Sequence, residues 1–268
     1  MATIAFPQTS SPVGQLVSLR IAQITDCHLQ ADVTTHYKGV DADAHLDQCL
    51  AWLEGHAQVD LLMLTGDLSH FGSQKAYQRL QQKLSPLAYP CIWLAGNHDH
   101  CDTMQQVSGQ AVQQLRVVDG DPWRVVILNT TEQADGRGGG SLAETQMEEL
   151  KQVLEGDLQR PVCVFMHHNS VPVNSLWQDD IMLGNAQQFN ALVASHSQVK
   201  AVVCGHVHQA FDQLIGTTRF LATPSSAVQF ASEQPVFKVQ TELGPGLRLL
   251  TLDADGQIHT KIQRLPKC

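Results

Sequence analysis

The chain has 268 residues, a hydrophobic content of 43% and a formal net charge of −9 at pH 7. This length suits one large α/β domain or two small ones, with enough apolar residues for a sizeable core. The acidic balance disfavours binding to polymeric nucleic acid, whose affinity depends on many lysine and arginine contacts with phosphate. A small phosphate ester needs only local positive charge, which bound metal ions can supply.

Residues 1–15 lack the basic start and the long apolar stretch of a signal peptide, so we expect a flexible lead-in before a single domain at 16–268. No apolar run reaches the ~18 residues of a membrane span, and we expect no membrane association. The seven cysteines show no paired spacing, and Cys91, Cys163 and Cys204 fall in or beside apolar runs. Thiols placed in this way predict a reducing, cytoplasmic location.

Strand and helix patterns alternate after the lead-in. Five apolar runs are typical of buried strands: LRIAQIT, DLLMLT, PCIWLA, PVCVFM and VKAVVC. Helical spacing predicts four helices, at 41–56, 73–84, 142–156 and 185–196. Ser73 is the expected N-cap of the second helix, and Ser141 with Glu144 is expected to form a capping box for the third. From about residue 216 to 268 the pattern changes to strands, with a hairpin turn at 253–256.

A short polar motif follows each of the five predicted strands. In chain order the motifs are Asp26-Cys27-His28, Gly66-Asp67, Gly96-Asn97-His98-Asp99, His167-His168 and Gly205-His206-Val207-His208. Open α/β sheets bind ligands at the carboxyl ends of their strands, so we expect these side chains to converge. Oxygen and nitrogen donors suit Mn, Fe, Co or Zn. Their number fits two metal ions that share a carboxylate.

Alternate-residue spacing within two motifs predicts pairs of metal ligands. Asp26 and His28 are two residues apart at a strand end, so both should point to one face. His206 and His208 repeat that spacing. The carboxylate of Asp67 has two oxygens and can bridge two metals, on a turn where the preceding glycine permits close backbone approach. Asp-x-His or Gly-Asp alone would indicate an ordinary surface turn. The metal site is predicted because all five motifs occur together.

The third and fourth motifs offer an amide, a candidate acid and further imidazoles. Asn97 supplies a carbonyl oxygen, and His98 beside it is a candidate catalytic acid or base. Asp99 is either a catalytic partner or a structural residue that holds a backbone turn or orients His98. The adjacent side chains of His167 and His168 diverge, so we expect one to bind metal and the other to have a structural role.

The remaining histidines are expected to be ordinary surface residues. Solvation explains those in predicted helices and loops, namely His36, His45, His56, His196 and His259. His70 and His100 lie beside motifs and could line a pocket, although simple exposure is the favoured explanation for both.

In this order and spacing, the five motifs resemble those of the calcineurin-like metallophosphoesterase superfamily. Within it, Gly-Asn-His-Asp, Cys-Gly-His-Val-His and LATPSSAVQF (221–230) are similar to the bacterial class III cyclic nucleotide phosphodiesterases, the type that hydrolyses 3′,5′-cyclic AMP. The similarity extends to LGPGLRLLTLDADG and covers nearly the whole chain. It implies an α/β fold, a four-layer α-β-β-α sandwich of two mixed sheets flanked by helices, with the metals between the sheets.

The resemblance also implies two divalent metal ions with divided ligands. The first metal is assigned to Asp26, His28, Asp67 and His208, and the second to Asp67, Asn97, His167 and His206. Asp67 bridges them. The implied ions are Fe²⁺ or Mn²⁺ first, with Co²⁺ or Zn²⁺ as alternatives. The side chains expected around the substrate phosphate are His28, Asp67, Asn97, His98 and His208.

The implied reaction is hydrolysis of cyclic AMP to 5′-AMP, with His98 protonating the departing 3′ oxygen. A broader diesterase that cleaves glycerophosphodiesters or other nucleotides remains an alternative, because the metals contact only phosphate. A non-catalytic binding protein would usually lack ligands or the acid histidine, which are all present. Low basic charge disfavours a nuclease on polymeric DNA. The chain is expected to be a monomer or homodimer.

Substrate preference is expected to depend on loops outside the motifs. The segment 222–230 is the candidate for base recognition, with plain core packing as the favoured alternative. Asn169 and Ser170 stand where many relatives carry two prolines, so the shape of the following loop is expected to differ. The glycine-rich segment 136–140 is predicted to be a flexible surface loop.

Overall fold

The computed structural model describes residues 2–5 and 18–267, and every structural statement below refers to these residues. The strands are β1 Ala2–Ala5, β2 Leu19–Ile24, β3 Leu61–Thr65, β4 Cys91–Leu94, β5 Arg116–Asp119, β6 Arg124–Ile127, β7 Val162–Phe165, β8 Val199–Cys204, β9 Phe211–Ile215, β10 Thr218–Ala222, β11 Gln229–Phe230, β12 Val239–Gln240, β13 Gly246–Leu252 and β14 Ile258–Arg264. The helices are α1 Ala42–His56, α2 Gln74–Leu84, α3 Cys101–Ser108, α4 Glu144–Glu155, α5 Leu176–Asp179 and α6 Ala186–Ala194.

Two mixed sheets form the framework. The first has seven strands in the order β1-β5-β6-β7-β8-β10-β9, and the second has five in the order β14-β13-β2-β3-β4. The neighbours β6, β7, β8 and β10 are parallel, as are β2, β3 and β4. Parallel strands align their carboxyl ends, so the residues that follow β2, β3, β4, β7 and β8 gather at one edge. A separate two-stranded ribbon joins β11 and β12.

Alternation along the central strands divides the apolar side chains among three cores. Ile21 and Met63 of the five-stranded sheet pack against Val125, Phe165 and Val203 of the seven-stranded sheet. Residues of the opposite strand faces pack outward, against α1 and α2 on one sheet and against α4 and α6 on the other. This arrangement confirms the predicted four-layer α-β-β-α sandwich.

A side-chain cap marks the start of α1 but not that of α2. The side chain of Asp41 accepts a hydrogen bond from the amide of Ala44 at 2.9 Å and caps α1, and Leu46, Leu50 and Leu53 form the buried face of that helix. Ser73 is the N-cap residue of α2, as predicted, but its side chain makes no cap hydrogen bond.

The predicted capping box at the start of α4 is wrong. That helix begins at Glu144 with Ala143 as its N-cap residue. The amide of Ser141 donates to the carbonyl of Glu132 at 2.7 Å, so Ser141 belongs to an extended bridge before the helix. The expected capping geometry is therefore replaced by a β-type contact.

Several short elements had no sequence prediction, among them α3, α5, β5 and β6. Their four to eight residues are too few for a clear period. Within the predicted lead-in, Ala2–Ala5 form a strand that pairs in parallel with β5 rather than loose chain, while residues 6–15 lie outside the described residues. The division into a lead-in at 1–15 and one domain at 16–268 stays a prediction. No helix in the described part of the chain is both long and apolar enough to span a membrane.

Candidate metal centre and its pocket

The seven predicted metal ligands lie together at the edge where the two sheets meet. All of them follow the carboxyl end of a strand, four in the five-stranded sheet and three in the seven-stranded sheet. In chain order they are Asp26, His28, Asp67, Asn97, His167, His206 and His208. Six of them are at least nine-tenths buried, and Asn97 is partly exposed to a pocket. The structure thus brings these seven side chains together, and their role as metal ligands stays a prediction.

Left-handed backbone turns orient most of these side chains. The φ angle is positive at five of the seven residues: Asp26 (53°), His28 (47°), Asp67 (51°), His206 (68°) and His208 (52°). Strand alternation was expected to aim the pairs, but β2 and β8 end at Ile24 and Cys204, before the motifs. A left-handed non-glycine residue costs on the order of 1–3 kcal/mol, and such residues cluster at functional sites. This strain supports a ligand-binding role for the turns.

The first group of donor atoms comes from Asp26, His28 and His208. Nε2 of His208 lies 3.3 Å from Oδ1 of Asp26 and 3.1 Å from Nε2 of His28. Nδ1 of His208 donates to the carbonyl of Val228 at 2.6 Å. A carbonyl on one ring nitrogen fixes the tautomer and leaves the other nitrogen to bind a metal ion, a common arrangement at metal sites.

The second group comes from Asn97, His167 and His206. Nε2 of His167 lies 3.1 Å from Oδ1 of Asn97, and its Nδ1 donates to the carbonyl of Thr65 at 2.8 Å. The rings of His167 and His206 have centroids 5.1 Å apart. Nε2 of His206 donates to the carbonyl of Ile181 at 3.1 Å, which leaves its Nδ1 as the candidate donor.

Asp67 lies between the two groups. Its Oδ1 is 3.5 Å from Nε2 of His167, and its Oδ2 is 3.7 Å from Nε2 of His28. Each carboxylate oxygen therefore faces a different set of donors. This is the geometry that a carboxylate shared between two cations requires.

The pKa values at the centre favour a bound cation. Burial opposes ionisation of Asp67, but the charge and hydrogen bond of His167 outweigh burial and hold the pKa of that carboxyl well below its usual range. Burial lowers the pKa of His28 and of His206, so both rings are neutral and can offer a lone pair. Burial also lowers the pKa of His167, yet Asp67 more than offsets this and raises it to about 9. A metal ion bound between Asp67 and His167 would replace that proton.

His98 lies on the wall of the pocket with one ring nitrogen already engaged. Its Nδ1 donates to the carbonyl of His70 at 3.0 Å, and its backbone amide donates to Oδ1 of Asp67 at 2.9 Å. Because the carbonyl can only accept, the Nδ1 proton is fixed and Nε2 is the atom that can exchange a proton with a ligand. The side chain is partly exposed, as that exchange requires.

Asp99 holds a backbone turn. Its carboxylate accepts hydrogen bonds from the amides of Leu68 (3.1 Å), Ser69 (2.9 Å) and Gly96 (2.9 Å), and from the hydroxyl of Tyr77 (2.9 Å). Burial, followed by the charge of Asp67, raises the pKa of Asp99 to about 6. Asp99 does not line the pocket. These contacts support the structural alternative over the catalytic one.

The two adjacent histidines have different surroundings. Nδ1 of His168 lies 2.7 Å from the hydroxyl of Thr130, and its Nε2 donates to the carbonyl of Gly138 at 3.0 Å. Both ring nitrogens of His168 are thus engaged away from Asp67, whereas His167 faces it. Burial lowers the pKa of His168 to about 3, so its ring is neutral.

Three residues differ from their sequence-based expectation or had none, namely His70, Tyr37 and His45. His70 lines the pocket, with its Nδ1 3.3 Å from Nδ1 of His28, although exposure was the favoured explanation for it. Tyr37 stacks on the ring of His28 at a centroid distance of 4.2 Å. His45 was expected to be solvated, but it is 3% exposed and its Nδ1 donates to the carbonyl of Ala227. Proximity to motifs signalled His70, while Tyr37 had no comparable signal.

A cavity of about 390 Å³ opens from the centre to the surface. This volume falls within the ~300–1,000 Å³ typical of small-molecule sites. One wall is the glycine-rich loop 136–139, where Oδ1 of Asp135 accepts from the amides of Arg137, Gly138 and Gly139 at 2.8, 3.1 and 2.9 Å. The loop predicted to be flexible therefore has an internal anchor. The other walls include Lys38, Ile181 and three aromatic rings, of Trp177, Phe230 and Phe237.

The segment 222–230 is mostly structural. The hydroxyl of Ser225 donates to the carbonyl of Asp26 at 2.7 Å, and Ala227 and Val228 are buried in the outer core. Only Phe230 of this segment lines the pocket. Core packing, the alternative favoured from the sequence, thus accounts for the rest.

Comparisons with known proteins agree with this geometry. Residues 19–210 match the calcineurin-like phosphoesterase family. The 3′,5′-cyclic adenosine monophosphate phosphodiesterase CpdA of Pseudomonas aeruginosa is 35% identical over 249 residues, which is 92% of this chain and 90% of that protein. A 3′,5′-cyclic-nucleotide phosphodiesterase of a Nostoc species is 34% identical over 256 residues, 95% of each chain.

Solved structures show the same fold. A dimetal phosphatase from Danio rerio superposes with a TM-score of 0.66 at 13% identity and covers 90% of this chain and 98% of its own. A purple acid phosphatase from yellow lupin seeds has a TM-score of 0.59 at 14% identity, over 93% of this chain and 54% of its own. At these identities the likeness concerns the fold alone.

Proposed function

Because this chain belongs to the calcineurin-like phosphoesterase family, we propose that it hydrolyses 3′,5′-cyclic AMP to 5′-AMP at a centre of two divalent metal ions. The observation that carries the proposal is the position of Asp67 between two groups of nitrogen and oxygen donors. The relatives named for cyclic nucleotide hydrolysis align over more than nine-tenths of this chain, which supports the choice of substrate.

The residues present fit two metal ions. The first ion would be held by Asp26, His28, Asp67 and His208, and the second by Asp67, Asn97, His167 and His206. Imidazole, carboxylate and amide donors suit Fe²⁺ or Mn²⁺, and also Co²⁺ or Zn²⁺. When bound, two such ions supply the Lewis acidity that stabilises charge on the phosphoryl oxygens and lowers the pKa of water.

The side chains around the centre would orient the ester and move one proton. His28, Asp67, Asn97, His98 and His208 line the cavity where the phosphate would lie. Addition of water to phosphorus breaks the bond to the 3′ oxygen, which must gain a proton. In its doubly protonated form, His98 donates this proton from Nε2, while the carbonyl of His70 holds the ring in place through Nδ1. The attacking water gives up the proton that returns His98 to this form. The product is 5′-AMP.

A cytoplasmic location belongs to the same proposal. The cysteines in the described residues carry no disulfide: Cys27, Cys49, Cys91, Cys101, Cys163 and Cys204. Reduced, mostly buried thiols are typical of a reducing compartment. Whether the protein is a monomer or a homodimer stays a prediction that light scattering on the purified chain can test.

Hydrolysis of a substrate panel tests the proposed function. Purified protein with Mn²⁺ or Fe²⁺ is assayed on cyclic AMP, bis-p-nitrophenyl phosphate and glycerophosphocholine, and its metal content is measured. We expect two metal ions per chain and the highest kcat/KM on cyclic AMP. Cleavage of the chromogenic ester with negligible action on cyclic AMP would keep the metal centre and reject the substrate, in favour of a broader diesterase. Metal binding without any hydrolysis would indicate a binding protein.

A further inference from the structure

Three aromatic side chains form a group at one side of the pocket. The ring centroids of Trp177 and Phe230 are 5.4 Å apart, those of Trp177 and Phe237 are 5.1 Å apart, and those of Phe230 and Phe237 are 5.0 Å apart. All three pairs have the edge-to-face arrangement that aromatic rings favour. We call Trp177, Phe230 and Phe237 the aromatic group.

The aromatic group begins at the candidate metal centre and extends away from it. Phe230 is buried, and its ring stacks flat on that of His208 at a centroid distance of 3.9 Å and an angle of 8°. Phe230 therefore serves as the inner support. Trp177 is partly exposed and Phe237 is 45% exposed, so these two rings present surface to the cavity.

Several hydrogen bonds fix the aromatic group relative to the metal motif. Nε2 of Gln178, next to Trp177, donates to the carbonyl of Val207 at 2.8 Å. Nε2 of Gln209 donates to Oε1 of Gln178 at 2.5 Å. The amide of Gln234 donates to the hydroxyl of Ser175 at 3.3 Å, which ties the segment before Phe237 to α5. The rings consequently stay at a set distance from the residues that would hold the phosphate.

The ammonium group of Lys38 lies over the ring of Phe237. Nζ of Lys38 lies 4.5 Å from the ring centroid of Phe237 and 5.5 Å from that of Tyr37. Contact with a cation orients an aromatic ring without burying it. A half-exposed phenylalanine that is held in this way, beside a pocket, is suited to stack on a flat ligand.

We propose that Trp177 and Phe237 form the subsite that stacks on the base of the nucleotide, with Phe230 as its support. This inference rests on the proposed function, because it places the phosphate at the metal centre and the base farther out. Aromatic rings stack on every nucleobase through the π face and confer affinity with little discrimination between bases. The glycine-rich loop, which also lines the pocket, offers peptide groups and Arg137 instead.

A pair of ligands that differ only in the base tests this subsite. With Mn²⁺-loaded protein, the dissociation constants of 5′-AMP and ribose 5-phosphate are measured by calorimetry and as inhibitors of bis-p-nitrophenyl phosphate cleavage. Phe237→Ala should weaken 5′-AMP about 10- to 100-fold and leave ribose 5-phosphate unchanged. Phe237→Tyr keeps an aromatic ring and should bind 5′-AMP as tightly as the wild type. Phe237→Leu lacks the ring and should bind 5′-AMP more weakly. Val236→Ala, at a neighbouring side chain that is 68% exposed, is the matched control.

The outcomes separate the subsite from the proposed function. The subsite would be overturned if Phe237→Ala weakened the binding of 5′-AMP and ribose 5-phosphate equally, or changed neither. Equal affinity of the wild type for the two ligands would also overturn it. Cyclic AMP hydrolysis by the wild type reports on the function independently. If the wild type fails to hydrolyse cyclic AMP but still prefers 5′-AMP through Phe237, the subsite stands and the substrate is another nucleotide ester. Circular dichroism checks that each variant is folded.

Discussion

His98 combines a fixed tautomer with an open position on the pocket wall. The carbonyl of His70 accepts a hydrogen bond from Nδ1 of His98, and Oδ1 of Asp67 accepts one from the backbone amide of His98. Its position therefore depends on the metal centre, but its side chain is not needed to form either group of donors. Removing the side chain should affect proton transfer more than metal binding.

We expect His98→Ala to lower kcat on cyclic AMP by about 10²- to 10⁴-fold, the usual contribution of a positioned acid or base. Metal content should remain two per chain. The p-nitrophenolate ion leaves without protonation at neutral pH, so the loss on bis-p-nitrophenyl phosphate should be roughly tenfold or less. His259→Ala, at a side chain that is 71% exposed, serves as the control. Loss of metal, or equal losses on both esters, would contradict the assignment.

The helix α5 shows how a short element can be set by its tertiary contacts. One turn of helix is far below the length that is stable in isolation. Gln178 is fully buried, donates to the carbonyl of Val207 and accepts from Gln209, and so fastens α5 to the end of β8. The sequence pattern around it, SLWQDD, carries no strong period and predicted no helix.

Gln178→Leu should destabilise the fold by about 1–3 kcal/mol, because the carbonyl of Val207 and the amide of Gln209 would remain buried without that partner. Urea unfolding measures the change. On the same helix, Leu176→Ala alters a side chain that is 64% exposed, and it should change the free energy of unfolding by about 0.5 kcal/mol or less. Similar effects of the two substitutions would argue against the anchoring role of Gln178.

At the scale of the whole molecule, the site exists where the ends of the two sheets touch. Gly205 follows β8 in the seven-stranded sheet and packs against residues of the five-stranded sheet. A methyl group added there would lie 2.8 Å from Oδ2 of Asp26 and 3.0 Å from the carbonyl of Thr65, and would overlap the hydroxyl of Thr25. Close approach of the sheets thus requires glycine at this position.

Gly205→Ala is expected to destabilise the protein by about 1–3 kcal/mol, as overpacking does, and to reduce metal content by displacing Asp26. Urea unfolding and metal analysis of the purified variant would show both effects. The matched control is Gly55→Ala in α1, where nothing lies within 4 Å of the added methyl group. That change should stabilise the helix by roughly 0.5–1 kcal/mol. Unchanged stability and full metal content in Gly205→Ala would refute the close-approach argument.

Long, strongly patterned elements were predictable, and short or irregular ones were not. The runs that became β2, β3, β4, β7 and β8 are apolar on both faces, because each lies in a sheet covered on both sides. The four-residue strands β5 and β6 offer too little pattern. The N-cap residue of α4 is Ala143 rather than the predicted Ser141, because the amide of Ser141 donates to the carbonyl of Glu132 in a β-bridge.

By itself, the sequence determined the fold class and the chemical types of the candidate ligands, because buried strands followed by Asp, Asn and His residues leave a strong linear signal. Only the tertiary structure decided how those ligands divide into two groups around Asp67, since left-handed turns at Asp26, His28 and Asp67 aim the side chains rather than strand alternation. The tertiary structure also determined which side chains line the pocket. Trp177 and Phe237 are 60 residues apart in the chain, and their contact depends on hydrogen bonds between segments that no local pattern encodes.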